Sequence, residues 1–158
     1  MTSTYKGKSL TVHIKGASHS DCIRVYIDGI PVGSTFEYNH LLELLAARRP
    51  SSKIGSTARC EQDTPIFERG ISRSQDTITV TGSIVCKVEN KDINKQDYEL
   101  FKEIPRPSHV DLPAMMKYGS DVDLSGGGAF SGRMTVAMVI AGGIAASMLK
   151  KENIFTSS

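Results

Sequence analysis

Residues Thr77–Val88 read TITVTGSIVCKV. Ile78, Val80, Gly82, Ile84, Cys86 and Val88 alternate with Thr77, Thr79, Thr81 and Ser83, the period-two pattern of a strand with one apolar face. Just upstream, Pro65–Gly70 predicts a further strand. Cys22–Asp28 (CIRVYID) alternates in the same way, with Ile23, Val25 and Ile27 on one side, and Gly29-Ile30-Pro31 stops it. Leu10–Lys15 (LTVHIK) is rich in β-branched residues and reads as another strand. Between these runs, Phe36–Arg49 carries Leu41, Leu42, Leu44 and Leu45 at helical spacing and ends at Pro50. Residues 51–63 and 90–104 lack periodicity and are expected as loops, the second with at most a short exposed helix. Downstream, Asp111 is placed to cap a helix over Leu112–Tyr118. A last helix, starting near Ser131, carries Met134, Val136, Met138, Val139, Ile140, Ile144 and Leu149. It is apolar nearly all round, which predicts a place in the middle of the molecule. Strands in sequence-adjacent runs with long helices between them predict an α+β fold, with no repeat or linker to divide the chain.

Composition bounds the function. A chain of 158 residues suits one domain, and 39% hydrophobic with 23% charged residues fits a soluble globular protein. Lys and Arg number 19 against 17 Asp and Glu, a net charge of +2, and there is no Trp. That balance argues against a general nucleic-acid binder, which needs a strongly basic face. Cys22, Cys60 and Cys86 are an odd count without C-x-x-C spacing, so neither a disulfide scaffold nor a zinc ribbon is expected. A reducing, cytoplasmic setting fits. The amino end lacks an apolar signal core. The uncharged run Met134–Leu149 falls short of the ~20 residues that span a bilayer and contains Thr135, Gly142, Gly143 and Ser147, so a buried helix and no membrane partner are expected.

Four features carry residues capable of chemistry. Gly16-Ala17-Ser18-His19 puts a histidine in a small-residue turn between two strands. For an isolated histidine, an ordinary surface turn is the favoured explanation. Arg48-Arg49-Pro50, with Lys53 and Arg59, either complements a helix dipole or builds an anion pocket, since arginine forks match carboxylates and phosphates. Arg106-Pro107-Ser108-His109-Val110-Asp111 sets an arginine and a histidine beside a rigid proline. Gly126-Gly127-Gly128-Ala129-Phe130-Ser131-Gly132-Arg133 runs into the apolar helix, and glycines before a helix N-terminus favour anions. The pattern is neither G-x-G-x-x-G nor a P-loop. Two histidines, several arginines and one phosphate-friendly helix start suit a small, multiply anionic substrate that loses phosphate. No metal-ligand spacing appears, and no metal is expected.

In order and spacing, these blocks resemble the chorismate synthase family. The resemblance extends through Asp28-Gly29-Ile30-Pro31-x-Gly33, Asn90-x-Asp92, Asp97-Tyr98, Lys117-Tyr118-Gly119 and Arg133-x-Thr135. It implies an α+β sandwich of helices and antiparallel sheets, of which residues 1–158 form the N-terminal portion and whose C-terminal part lies outside this sequence. It implies conversion of 5-enolpyruvylshikimate 3-phosphate to chorismate and phosphate by anti-1,4-elimination, in the shikimate pathway to aromatic amino acids. It also implies reduced FMN as cofactor, a homotetramer and, in some members, an added NADPH-linked flavin reductase activity. By this resemblance, His19 protonates the leaving phosphate and His109 protonates the reduced flavin. Arg48, Lys53, Arg106 and Arg133 bind the substrate, and Ala129, Phe130 and Ser131 contact the flavin. The chain departs from the family pattern at Ala17, Ser20, Ser125, Ala129 and Met134. The departures at Ala17, Ser125 and Met134 motivate a second reading, a non-catalytic chain that binds an anion or another subunit.

Overall fold

The structure is a computed structural model that describes residues 2–49, 61–91, 93, 98, 100–101 and 103–156. Among the described residues, six strands form one antiparallel sheet: β1 (Thr2–Lys6), β2 (Thr11–Lys15), β3 (Cys22–Asp28), β4 (Thr35–Glu37), β5 (Ile66–Ser74) and β6 (Thr77–Glu89). The order is β1-β2-β3-β6-β4, with β5 also paired to β6. β6 is the spine. Its register sets Val88 against Ile23, Cys86 against Val25 and Ile84 against Ile27, so apolar side chains of neighbouring strands meet on one face. Ile23, Val25, Ile27, Ile78, Val80, Ile84, Cys86 and Val88 are all buried. Burial pushes the Cys86 thiol up to about 12, so it behaves as a small core hydrophobe.

Helix α1 (Tyr38–Ala47) and helix α3 (Thr135–Lys151) cover that face. Leu41 and Leu45 of α1 and Val136, Ala137, Ile140 and Ile144 of α3 complete the core. α3 is not enclosed as its composition predicts, for Met138 on its outer side is 62% exposed. Gly132–Lys151 is long and apolar enough to cross a bilayer by length and composition. Its buried residues pack on the sheet, the position of a core helix. On the outer side a groove of about 350 Å³ runs between α3 and Leu10, Ile30 and Pro31.

One strand carries no sequence signal, and two local expectations change. β1 is a strand although its sequence is polar, because an edge strand is held by its ladder to β2 rather than by burial. Phe36 does not begin α1. It lies in β4, opposite Ile78, and its buried ring packs 5.9 Å from that of Phe67. Helix α2 spans Asp111–Tyr118 with Val110 at its N-cap and no side-chain cap, so Asp111 does not cap it.

Candidate active site

The candidate residues gather at one end of the sheet, where β2 turns into β3 and β6 terminates. The turn 16–20 is tied down by its own polar atoms. Ser20 Oγ donates to the Cys22 carbonyl at 2.8 Å, and Asn90 Nδ2, just past β6, donates to the Ser20 carbonyl at 2.6 Å. The Ser18 N–H donates to the Gly128 carbonyl at 3.0 Å. One hydrogen bond thus joins the histidine turn to the glycine triplet, two features that sequence reading treats separately.

The triplet is a non-helical kink within Ser125–Phe130, with φ of 58° at Gly126, 87° at Gly127 and 56° at Gly128. All three lie in the left-handed region that glycine alone enters without strain. Space explains the need as well. A Cβ on Gly126 would fall 2.5 Å from His19 Nε2, and one on Gly127 would fall 3.9 Å from His109 Cε1. The triplet therefore borders both histidines, His19 at Gly126 and His109 at Gly127. His19 is buried at 8% exposure, not in an ordinary surface turn, and its ring lies 5.1 Å from that of Tyr98.

His109 sits in a second, charged cluster. Arg106 Nε and Nη2 donate to the two carboxylate oxygens of Asp111 at 2.7 and 2.8 Å, and the Arg106 backbone N–H adds a third bond at 3.1 Å. His109 Nδ1 lies 2.7 Å from Asp111 Oδ1. The Arg106 guanidinium, chiefly through these hydrogen bonds, holds the fully buried Asp111 carboxyl well below the usual carboxylate range, against the opposing effect of burial. The same pairing raises Arg106. Phe101 and Tyr98 lie under the guanidinium at 4.8 and 5.6 Å.

Arg48 and Arg133 form a third cluster. Arg48 is the C-cap residue of α1, and Arg133 stands in the 3-10 turn Gly132–Met134 that leads into α3. Both ion-pair with the two oxygens of Asp63. Arg133 Nε also donates to Asn90 Oδ1 at 3.0 Å. Among the described residues, two guanidinium groups thus share the one Asp63 carboxylate. Arg133 Nη2 is buried without a hydrogen-bond partner, a state that costs about 1–3 kcal/mol and that an anion would relieve.

Ser131 Oγ accepts the Arg133 N–H at 3.3 Å and so starts the turn. A Cβ on Gly127 would lie 3.5 Å from Ser131 Cβ, so Ser131 and His109 both border Gly127. Phe130 is exposed, 6.1 Å from the Tyr118 ring. Ala129 lines a cleft of about 460 Å³ together with Gly16, Ala17, Tyr118 and Asp123. An aromatic pair and open backbone suit a planar ring.

Of the residues expected at the site, His19, His109, Arg48, Arg106, Arg133, Ala129, Phe130 and Ser131 all fall at this end, and Lys53 lies outside the described residues. Sequence reading missed Asp63, which lies in an aperiodic polar stretch with no local signal. It also misread Asp111 as a cap.

The chorismate synthase family profile matches residues 10–158. The chain is 41% identical over 149 residues to "Chorismate synthase" of Pyrococcus abyssi, covering 94% of this chain and 41% of that protein. It is 38% identical over 149 residues to the protein of the same name in Thermococcus kodakarensis, covering 94% and 41%. Over 143 residues it is 38% identical to that of Chitinophaga pinensis, covering 90% and 42%. The chain thus spans about two-fifths of the length of these curated relatives. A solved structure described as "Crystal Structure of Chorismate Synthase" superposes with a TM-score of 0.61 over 94% of this chain and 36% of that one, at 17% identity. That likeness is one of fold, an α+β arrangement on an antiparallel sheet. Since the profile match takes in both histidine segments, the glycine triplet and the arginines at the ends of α1 and α3, the chain belongs to the chorismate synthase family.

Proposed function

We propose that this chain takes part in the chorismate synthase reaction, the anti-1,4-elimination of phosphate from 5-enolpyruvylshikimate 3-phosphate. The observation that carries the reading is that His19 borders Gly126 and His109 borders Gly127, beside arginine clusters at the same end of the sheet. The substrate bears two carboxylates and a phosphate. Arg133, with its unpartnered Nη2, and Arg48 offer the positive charge that such a ligand requires. His19 donates a proton to the departing phosphate, and His109 holds or releases one at Nε2. Both roles suit imidazole near neutral pH.

The residues fit the ring of reduced FMN. Phe130 and Tyr118 supply an aromatic pair and Ala129 supplies backbone. Asp121 and Asp123 in the same cleft do not suit the FMN phosphate. When bound, reduced FMN supplies electron density as phosphate leaves and regains it as the C6 hydrogen departs, with no net redox change. A homotetramer in the cytoplasm completes the proposal. Its support is family membership and, for the compartment, the free thiols of Cys22 and Cys86.

The test is anaerobic incubation of the chain and its His19→Ala and His109→Ala variants with the enolpyruvyl substrate and reduced FMN. We expect turnover in the unsubstituted chain and at least a ~100-fold loss in each variant. Retention of most activity in either variant would show that its histidine has no such role. NADPH oxidation without substrate would mark a flavin reductase instead.

A further inference from the structure

We propose that Asp111 is a positioning residue for His109. Its carboxylate holds the imidazole in the Nδ1–H form with Nε2 left for reaction, and Arg106 acts through Asp111 rather than on substrate. The inference deepens the reading above and rests on it for the role of His109.

The donor count carries the argument. An ionised carboxylate offers about four lone-pair sites. At Oδ2 they meet Arg106 Nε and the Arg106 backbone N–H, and at Oδ1 they meet Arg106 Nη2 and His109 Nδ1. All four sites are taken, and the Asp111 side chain is fully buried, so it can neither turn away nor find water. An acceptor so placed requires a proton on His109 Nδ1. In the neutral ring Nε2 is then the acceptor, and among the described residues it makes no hydrogen bond. Ser108, at φ 56°, reverses the chain between Arg106 and His109 in a conformation that non-glycine residues seldom adopt. The reversal lets one carboxylate serve both side chains. Arg106 is committed to the scaffold. Besides the fork on Asp111, its Nη2 reaches the Leu124 carbonyl at 3.3 Å, and its plane is backed by Phe101.

The experiment is ring ¹⁵N spectroscopy of the histidine-labelled chain at a pH where imidazole is neutral, with His109 assigned by its disappearance in His109→Gln. Free histidine favours the Nε2–H form. We expect His109 to show the opposite, Nδ1–H. In Asp111→Asn, the amide oxygen is claimed by two Arg106 donors, so its NH₂ faces Nδ1 and the preference should reverse to Nε2–H. A structural salt bridge alone would not move this signature. An Nε2–H signal in the unsubstituted chain, or an unchanged signal in a folded Asp111→Asn chain, overturns the proposal. Should Asp111→Asn fail to fold, the unsubstituted spectrum decides alone. Because the measurement needs no turnover, failure of the lyase reading appears separately, as absence of chorismate with the Nδ1–H form intact.

Discussion

At the scale of single residues, Gly126 is the glycine whose constraint comes from a candidate catalytic side chain. Its φ is positive and its missing side chain is where the His19 imidazole lies. In Gly126→Ala the methyl group must displace the ring, and a shift of about 1 Å at a reacting group costs on the order of 100-fold in rate. We expect that loss in kcat with folding retained, and unchanged kcat would show that the triplet does not set the position of His19. Asp111 gives a second expectation, in stability. Removing it by Asp111→Ala leaves Arg106 unpaired and should cost about 3–5 kcal/mol in chemical denaturation. The folded carboxyl titrates below its unfolded value of roughly 3.9, so its contribution is complete above that pH and fades as pH falls toward the folded value. The stability gap between the unsubstituted and Asp111→Asn chains should therefore shrink below about pH 4, and a gap constant with pH would contradict the assignment. Sequence alone identifies His19 and His109 by residue type and motif. It cannot identify their supports. Asp63 and Asn90 reach Arg133 from 70 and 43 positions away, distances over which no spacing rule operates.

At the scale of elements, legibility follows burial. β3 and β6 are readable because one face of each is dry, and the alternation in their sequences is that face. β1 and β4 are not, since an edge ladder and a three-residue pairing impose no such pattern. α3 shows the limit of composition. Its apolar residues run all round, but only one side packs on α1 and the sheet. Its two adjacent glycines face opposite conditions. A Cβ on Gly143 would lie 3.0 Å from both Leu41 Cδ1 and Leu44 Cδ1, whereas one on Gly142 would meet nothing within 4 Å. Gly143→Leu should therefore force α1 from α3 and destabilise the fold by about 1–3 kcal/mol. Gly142→Ala should stabilise it by roughly 0.5–1 kcal/mol through helix propensity. Thermal denaturation of the two variants checks the pair, and shifts of the same sign would contradict the packing described for α1 and α3.

At the scale of the molecule, the sheet acts as a platform that brings distant segments to one end. The turn before β3, the stretch after β6, the C-terminus of α1 and the N-terminus of α3 meet there, and each carries one part of the site. None of these segments is a site alone, which is why each motif has a bland explanation when read singly and a chemical one when read with the others. The chain spans about two-fifths of its relatives' length, so the central claim concerns what this arrangement can do. The most direct measurement is of product stoichiometry, with the chain, the enolpyruvyl substrate and reduced FMN held without oxygen. The account predicts chorismate and phosphate in equal amounts with the flavin still reduced at the end. Bound FMN and bound substrate without chorismate, or phosphate released without chorismate, would contradict it.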